Sequence, residues 1–299
     1  MPSETLPETA VLKNHDNLRA LCDFVIAEPP DLRDRKAWAR DPRLFAPLFD
    51  PGNEIRDGAV VYIQSDLQDR FFAEVFPRIS RRIVLVTACV DVGSPGPHRE
   101  RLNDRRILRW FGENCDLETA HPKYEPIPLG FTGPLLPHGD QGVLLRLHRR
   151  MPPVADKPLV AHGSFHLTLS HPERRQVWKT VRDLPGVFLQ PHRIPTELLW
   201  IRHANHAFEI SPRGNGRDCH RTWEALMLRT IPIVMTSPLD PVYAGFPVVI
   251  VEDWREITPA SMARWRDERQ DGFNASMFRR LTIDYWAERI RKAAQFLPA

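Results

Sequence analysis

Lysine and cysteine are scarce in this chain, and long apolar runs are missing. The four cysteines, Cys22, Cys89, Cys115 and Cys219, are scattered without a Cys-x-x-Cys spacing, which excludes a zinc ribbon and a disulfide scaffold and suits reduced thiols. The longest apolar stretches, 83–90 and 246–251, fall far short of the ~20 residues that cross a bilayer. No transmembrane segment is expected. The opening MPSETLPETA lacks the basic start and apolar run of a signal peptide, so a cytoplasmic protein is expected. Lys+Arg 41 against Asp+Glu 38 leaves only +3, too little excess for a dedicated nucleic-acid binder, and no nucleic-acid partner is expected. Just six of those basic residues are lysines; the arginines that dominate instead suit bidentate contacts to phosphate where several converge. Asp-x-Asp is also absent, which argues against the transferase class that holds a divalent cation on a donor diphosphate with such a pair.

What remains is an ordinary globular composition, 42% hydrophobic and 26% charged over 299 residues, enough for two domains. The first 57 residues show no regular pattern. Beyond them, 59–64 and 83–90 are β-branched apolar runs of the kind buried on both faces of a parallel sheet, and 66–79 between them has helical spacing. A second helix is predicted over 100–111 and a strand over 124–129. The breaker-rich stretch 134–157, with Pro134, Pro137, Gly139, Gly142, Pro152 and Pro153, predicts the domain boundary, dividing the chain at 1–150 and 151–299. After it strands (159–161, 187–190, 207–210, 231–235, 248–251) alternate with helices (172–183, 196–203, 218–229, 259–270), the rhythm of an α/β fold with a parallel sheet. An amphipathic segment, 277–296, reads as a terminal helix packing back.

Chemistry concentrates in 208–234. A buried strand ends at Ile210, a loop with Gly214 and Gly216 follows, and a helix is predicted to start at Asp218 as its N-cap. In an open α/β sheet such a place favours an anion, because loop N–H groups and a helix start converge outside a strand's carboxyl end. Arg221 in the first turn is placed to pair with a diphosphate, and Glu224 one turn on to accept two ribose hydroxyls. Each part also has a plainer role: a turn, a cap, and a surface ion pair at i,i+3. A nucleotide uses all three together.

The run resembles the donor segment of GT-B glycosyltransferases, most closely the exostosin-like group, through Pro212-Arg213-Gly214, Arg221, Glu224-Ala225-Leu226 and Ile231-Pro232-Ile233. Weaker echoes lie at 107–114 and 121–130. The resemblance implies two Rossmann-like domains facing across a cleft, an acceptor-side N-terminal domain, and a C-terminal domain binding a UDP- or GDP-linked sugar through Pro212, Arg213, Gly214, Asn215, Gly216, Arg221 and Glu224, with Arg174 on the donor phosphates. It implies an inverting, metal-independent transfer to a glycan or small-molecule acceptor, with no further cofactor. The family usually has Gly near the end of this helix, where Arg229 stands and is expected to alter the helix exit. For the general base, Asp91 ranks first and Asp66 second, since capping already accounts for Asp66; Glu113 and His121 come after them. His162 and His166, with His171 behind, lack the helical face that presents i,i+4 histidines to zinc, so substrate contact is the preferred reading. An epimerase or a non-catalytic binding module remain the rival functions.

Overall fold

A computed structural model describes residues 5–27, 50–133, 140–167 and 172–295. Pro134, Pro137, Gly139, His171 and Phe296 lie outside the described residues. The chain divides into two compact units, an N-terminal one formed by Asp16–Ile127 with Trp286–Ala299, and a C-terminal one formed by Met1–His15 with Pro128–Tyr285. The chain therefore changes unit at Ile127/Pro128, earlier than the breaker-rich stretch. The reason is the helix Gln141–His148, whose apolar face carries buried Leu144 and Leu145 and packs on helices of the C-terminal unit.

The N-terminal unit is one parallel sheet of β1 (Phe24–Ile26), β2 (Ala59–Gln64), β3 (Ile83–Ala88), β4 (Ile107–Gly112) and β5 (Tyr124–Pro126), in that order. Every residue of β2 and β3 is buried, as expected for central strands covered on both faces. Helical turns from Ser65 to Arg78 bury Phe71, Phe72, Val75 and Phe76. Phe71 meets Phe72 edge to face at 4.9 Å, and Phe72 lies 5.5 Å from the Trp110 ring of β4. The helix predicted over 100–111 is instead a 3-10 stretch, Gly96–Asn103, followed by β4. Trp110 and Phe111 bury fully in a strand beside β3, and there the Trp110 indole donates to Thr87 Oγ1 at 2.9 Å. Burial between two strands thus overrides the helical spacing.

The C-terminal unit is a second parallel sheet built from β6 (Ala161–Gly163), β7 (Val187–Leu189), β8 (Phe208–Ile210), β9 (Ile231–Met235) and β10 (Val249–Val251), in spatial order β7-β6-β8-β9-β10. Helices Pro172–Val181, Thr196–Ala204, His220–Met227 and Pro259–Arg269 alternate with the strands. The two sheets make the chain α/β with two Rossmann-like units. In the second sheet the chain runs outward to β7 on one side and to β8, β9 and β10 on the other, so the order reverses between β6 and β8. Ligands of doubly wound sheets lie in the crevice outside the carboxyl ends at such a point.

Helix His220–Met227 buries Trp223, Leu226 and Met227. Its exit is a Schellman turn, with Arg229 N–H bonded to Leu226 O at 3.1 Å and Thr230 N–H to Ala225 O at 2.9 Å. Arg229 occupies the left-handed position of that turn at φ 54°, where a Gly is free of Cβ strain. The turn forms despite the substitution, so the expected change of helix exit does not occur. The Arg229 guanidinium lies 5.2 Å over the Phe278 ring. The closing segment is two helices, Ala275–Arg279 and Ile283–Gln295, and within the N-terminal unit Arg289 pairs with Glu125.

Candidate functional site

The C-terminal unit gathers the predicted donor residues at the β6/β8 crevice. Parallel pairing sets His162 of β6 beside Glu209 of β8. Both are fully buried, and His162 Nδ1 lies 2.7 Å from Glu209 Oε2. The other carboxylate oxygen, Oε1, accepts from Ser164 N at 3.2 Å and Ser164 Oγ at 2.7 Å. Ser164 Oγ also contacts His203 Nε2 at 3.0 Å and Arg221 Nε at 3.1 Å. Arg221 Nε is 3.7 Å from Glu209 Oε1. Burial would raise the Glu209 carboxyl, but His203, His162 and Arg221 outweigh it and hold it down to about 2. Burial keeps His203 neutral, at about 4.

Above this layer Arg174, from the first turn of helix Pro172–Val181, is buried and donates from Nε to Arg213 O at 2.9 Å. Burial and the neighbouring Arg221 lower the Arg174 pKa. His166 is pushed down by burial and then by Arg193, Arg221 and Arg174. A guanidinium close enough to lower the pKa of its neighbour leaves a place that an anion would stabilise.

The glycines of the loop act differently from expectation. Neither has a positive φ, and Gly214 N–H is used within the loop, on Gly216 O at 3.2 Å. Gly214 instead lies against Arg174, whose Nη2 would stand 3.0 Å from a Cβ there and would have to shift by a few tenths of an ångström. Pro212 O accepts from Cys219 Sγ at 3.5 Å, while Arg213 and Asn215 are exposed. Asp218 is not the N-cap. The helix begins at His220 with Cys219 capping and no side-chain cap bond; buried Asp218 accepts from Leu129 N at 2.8 Å, Cys219 N at 2.7 Å and Trp223 Nε1 at 2.9 Å. Three such donors within the fold explain why the carboxylate turns inward. Glu224, a turn beyond Arg221, is lifted by burial to about 7, with the Trp200 indole and Arg221 acting the other way. Flanking the crevice, at the ends of β8 and β9, lies a cavity of about 230 Å³ lined by Ser211, Arg213, Arg217, Thr222 and Tyr243 among others.

His162, His203 and Glu209 present ligand atoms within 4.8 Å of one another and could in principle hold a metal ion. Arg221, 3.7 Å from Glu209 Oε1, would repel a dication there. His166 stands outside this group, exposed, with its Nε2 3.4 Å from Arg193 Nε.

In the N-terminal unit Asp66 and Asp91 are both exposed beyond strand ends. Asp66 accepts from Gln64 Nε2 at 3.0 Å and sits inside the turn that Gln64 precedes, so the capping role expected of it is not made. Asp91 follows Cys89 and Val90, whose φ values of 63° and 97° are costly for non-glycine residues. That turn is held by Cys89 N–H on Glu113 Oε2 at 3.1 Å and by Asn114 Nδ2 on Val90 O at 3.3 Å. Glu113 is buried in this support, and His121 Nδ1 accepts from Lys123 N at 3.2 Å.

Ser164, His203 and Glu209 were not legible as site residues. One signal was available: a glutamate inside the apolar strand Phe208–Ile210, flanked by core strands, must find partners when buried.

Comparison with known proteins finds no matching family model and no matching curated protein. Solved structures do match in outline. One described as trehalose-6-phosphate from E. coli bound with UDP-2-fluoro glucose is 12% identical, covering 82% of this chain and 75% of that one, with a TM-score of 0.45. An alpha,alpha-trehalose 6-phosphate synthase from Burkholderia multivorans is 10% identical over 81% and 72%, at 0.43. An alpha,alpha-trehalose-phosphate synthase (UDP-forming) from Burkholderia xenovorans, in complex with glucose-6-phosphate, is 12% identical over 81% and 75%, at 0.42.

Proposed function

We propose that this chain is a glycosyltransferase of the GT-B kind, moving a sugar from a UDP- or GDP-linked donor to a hydroxyl of a glycan or small-molecule acceptor. The observation that carries the reading is a pair of arginines at the carboxyl ends of the second sheet: Arg174, tied by its Nε to Arg213 O of the glycine loop, and Arg221, with its Nε 3.7 Å from the Glu209 carboxylate. Preset guanidiniums stabilise the charge that develops on a departing diphosphate without reorganising at the moment of reaction. Glu224 lies one helical turn away, the distance from a diphosphate to its ribose, and accepts the ribose hydroxyls. The resemblance to the exostosin-like group supports the same assignment.

The transfer is a direct, inverting displacement. The acceptor oxygen bonds to the anomeric carbon as the bond from that carbon to the diphosphate oxygen breaks, and the electron pair leaves on the nucleoside diphosphate. The hydroxyl proton passes to a carboxylate base, assigned to Asp91 with Asp66 second. Arg174 and Arg221 take the charge-neutralising role that a cation fills in other transferases, so the reaction proceeds without a metal.

Incubation with UDP- and GDP-sugars and a panel of acceptor sugars, read by mass spectrometry, tests the reading. A new glycoside with stoichiometric nucleoside diphosphate is expected, undiminished in EDTA. A changed sugar on an intact nucleotide would instead indicate an epimerase, and binding without turnover a binding module. Loss of turnover in EDTA with recovery in manganese would overturn the metal-independent mechanism.

A further inference from the structure

The buried layer beneath the crevice has a hydrogen-bond order that can be deduced atom by atom. Glu209 is ionised and can only accept, so His162 Nδ1 and Ser164 Oγ both donate to it, at 2.7 Å each. The single hydroxyl proton of Ser164 is thereby committed. Arg221 Nε–H, at 3.1 Å, must therefore donate to the Ser164 oxygen. His203 Nε2, at 3.0 Å, must also carry a proton and donate to that oxygen. Ser164 Oγ is then saturated, with one bond given and two received. Both imidazoles are completely buried, and their remaining nitrogens, His162 Nε2 and His203 Nδ1, have no hydrogen-bond partner among the described residues. The arrangement leaves two core nitrogens without partners while filling every position on Ser164 Oγ. Arg221 Nη1 is likewise buried without a partner, whereas its Nε is tied down.

The geometry points to Ser164 and Glu209, backed by His162 and His203, as positioning residues that preset the Arg221 guanidinium through its Nε and leave its Nη2 for the ligand's phosphates. The inference rests on the donor reading above and names the device on which that site depends. None of the four touches the reacting atoms. A planar guanidinium anchored at Nε has its rotation about the last side-chain bond removed before the ligand arrives, so less freedom is lost on binding. An uncompensated arginine in this layer would be costly; the Glu209 carboxylate balances it, and neutral His203 adds a donor without adding charge.

Two measurements test it on the full chain. The first needs no ligand: the ¹⁵N-resolved Nε–H resonance assigned through Arg221→Ala should exchange slowly with solvent in wild type, lose that protection in Ser164→Ala, and regain it in Ser164→Thr, which keeps the hydroxyl. The second is calorimetric titration with UDP and GDP, using uridine and guanosine as phosphate-free controls. Ser164→Ala should weaken the nucleoside diphosphate 10-fold or more, leave the nucleoside unchanged, and have no further effect in an Arg221→Ala background. Thermal melts of each variant report folding separately, because a merely structural role would lower the melting temperature without separating diphosphate from nucleoside. An unprotected Nε–H in wild type, or an equal Ser164→Ala loss with Arg221 present and absent, overturns the positioning role. A protected, Ser164-dependent Nε–H in a protein that binds neither UDP nor GDP upholds the anchoring and overturns the donor reading.

Discussion

Replacing Glu224 by glutamine should change stability in a way that depends on pH. Burial lifts the Glu224 carboxyl from its ordinary 4.5 to about 7. Below pH 4.5 both folded and unfolded chains carry the proton and the group is neutral in its effect. As pH rises from 4.5 toward 7 the unfolded chain releases its proton first, so the folded state loses stability across this window; above 7 the loss is complete. At about 1.4 kcal/mol per pKa unit, the full difference is at most about 3.5 kcal/mol. Glu224 retains some solvent contact, and a working value is on the order of 2 kcal/mol. Glutamine has no proton to lose. Glu224→Gln should therefore match wild type near pH 4.5 and exceed it by about 2 kcal/mol at pH 8. Urea unfolding at the two pH values measures both, and the buried histidines that titrate in the same range are common to both proteins and cancel in the difference. A variant less stable than wild type at pH 8, or a difference equal at both pH values, would refute the argument that Glu224 sits in a desolvated pocket.

His148 behaves oppositely. Burial lowers it to about 4, and as a neutral ring it bonds Met227 O at 2.8 Å and Leu6 N at 3.2 Å. The unfolded chain binds a proton below about 6.5 while the folded ring resists, so wild-type stability falls between pH 6.5 and 4. His148→Gln should flatten that fall by about 2 kcal/mol in urea titrations, a pH-independent cost of about 1–2 kcal/mol for the altered hydrogen bonds aside. Asp91→Asn should lower kcat by about 10²–10⁴-fold while leaving nucleotide affinity unchanged. Full turnover in Asp91→Asn with loss in Asp66→Asn would reverse their order. Initial rates in excess EDTA should equal those in buffer.

The strands were legible where burial leaves no alternative pattern. Ala59–Gln64 and Ile83–Ala88 are mostly apolar and buried throughout, and each is a central strand. Ile107–Gly112 was not, because Leu102, Ile107 and Phe111 also fit a helical spacing, and only the presence of β3 beside them decides the outcome. The first helix start after β8 was misplaced for a related reason. Asp218 has the side chain of a cap, but the Trp223 indole and Leu129 N–H compete for it and win. Arg221 stands out by its place in the first turn of a helix, Arg174 only through the family resemblance, and in the structure Arg221 lies near enough to lower the Arg174 pKa. Their support was hidden, since Ser164, His203 and Glu209 come from three separated segments that no local spacing relates. Arg229 carries a signal of its own: it stands where the resembled family usually has glycine, and the structure gives it a left-handed φ of 54°.

The proposed donor site turns on Arg221 binding a diphosphate at the β6/β8 crevice, which calorimetric titration of wild type and Arg221→Ala with UDP and GDP measures. Wild type should bind at least one of them, and the variant should lose roughly 1.5–3 kcal/mol, the range for a hydrogen bond to a charged group. Equal affinity in the two proteins would contradict it.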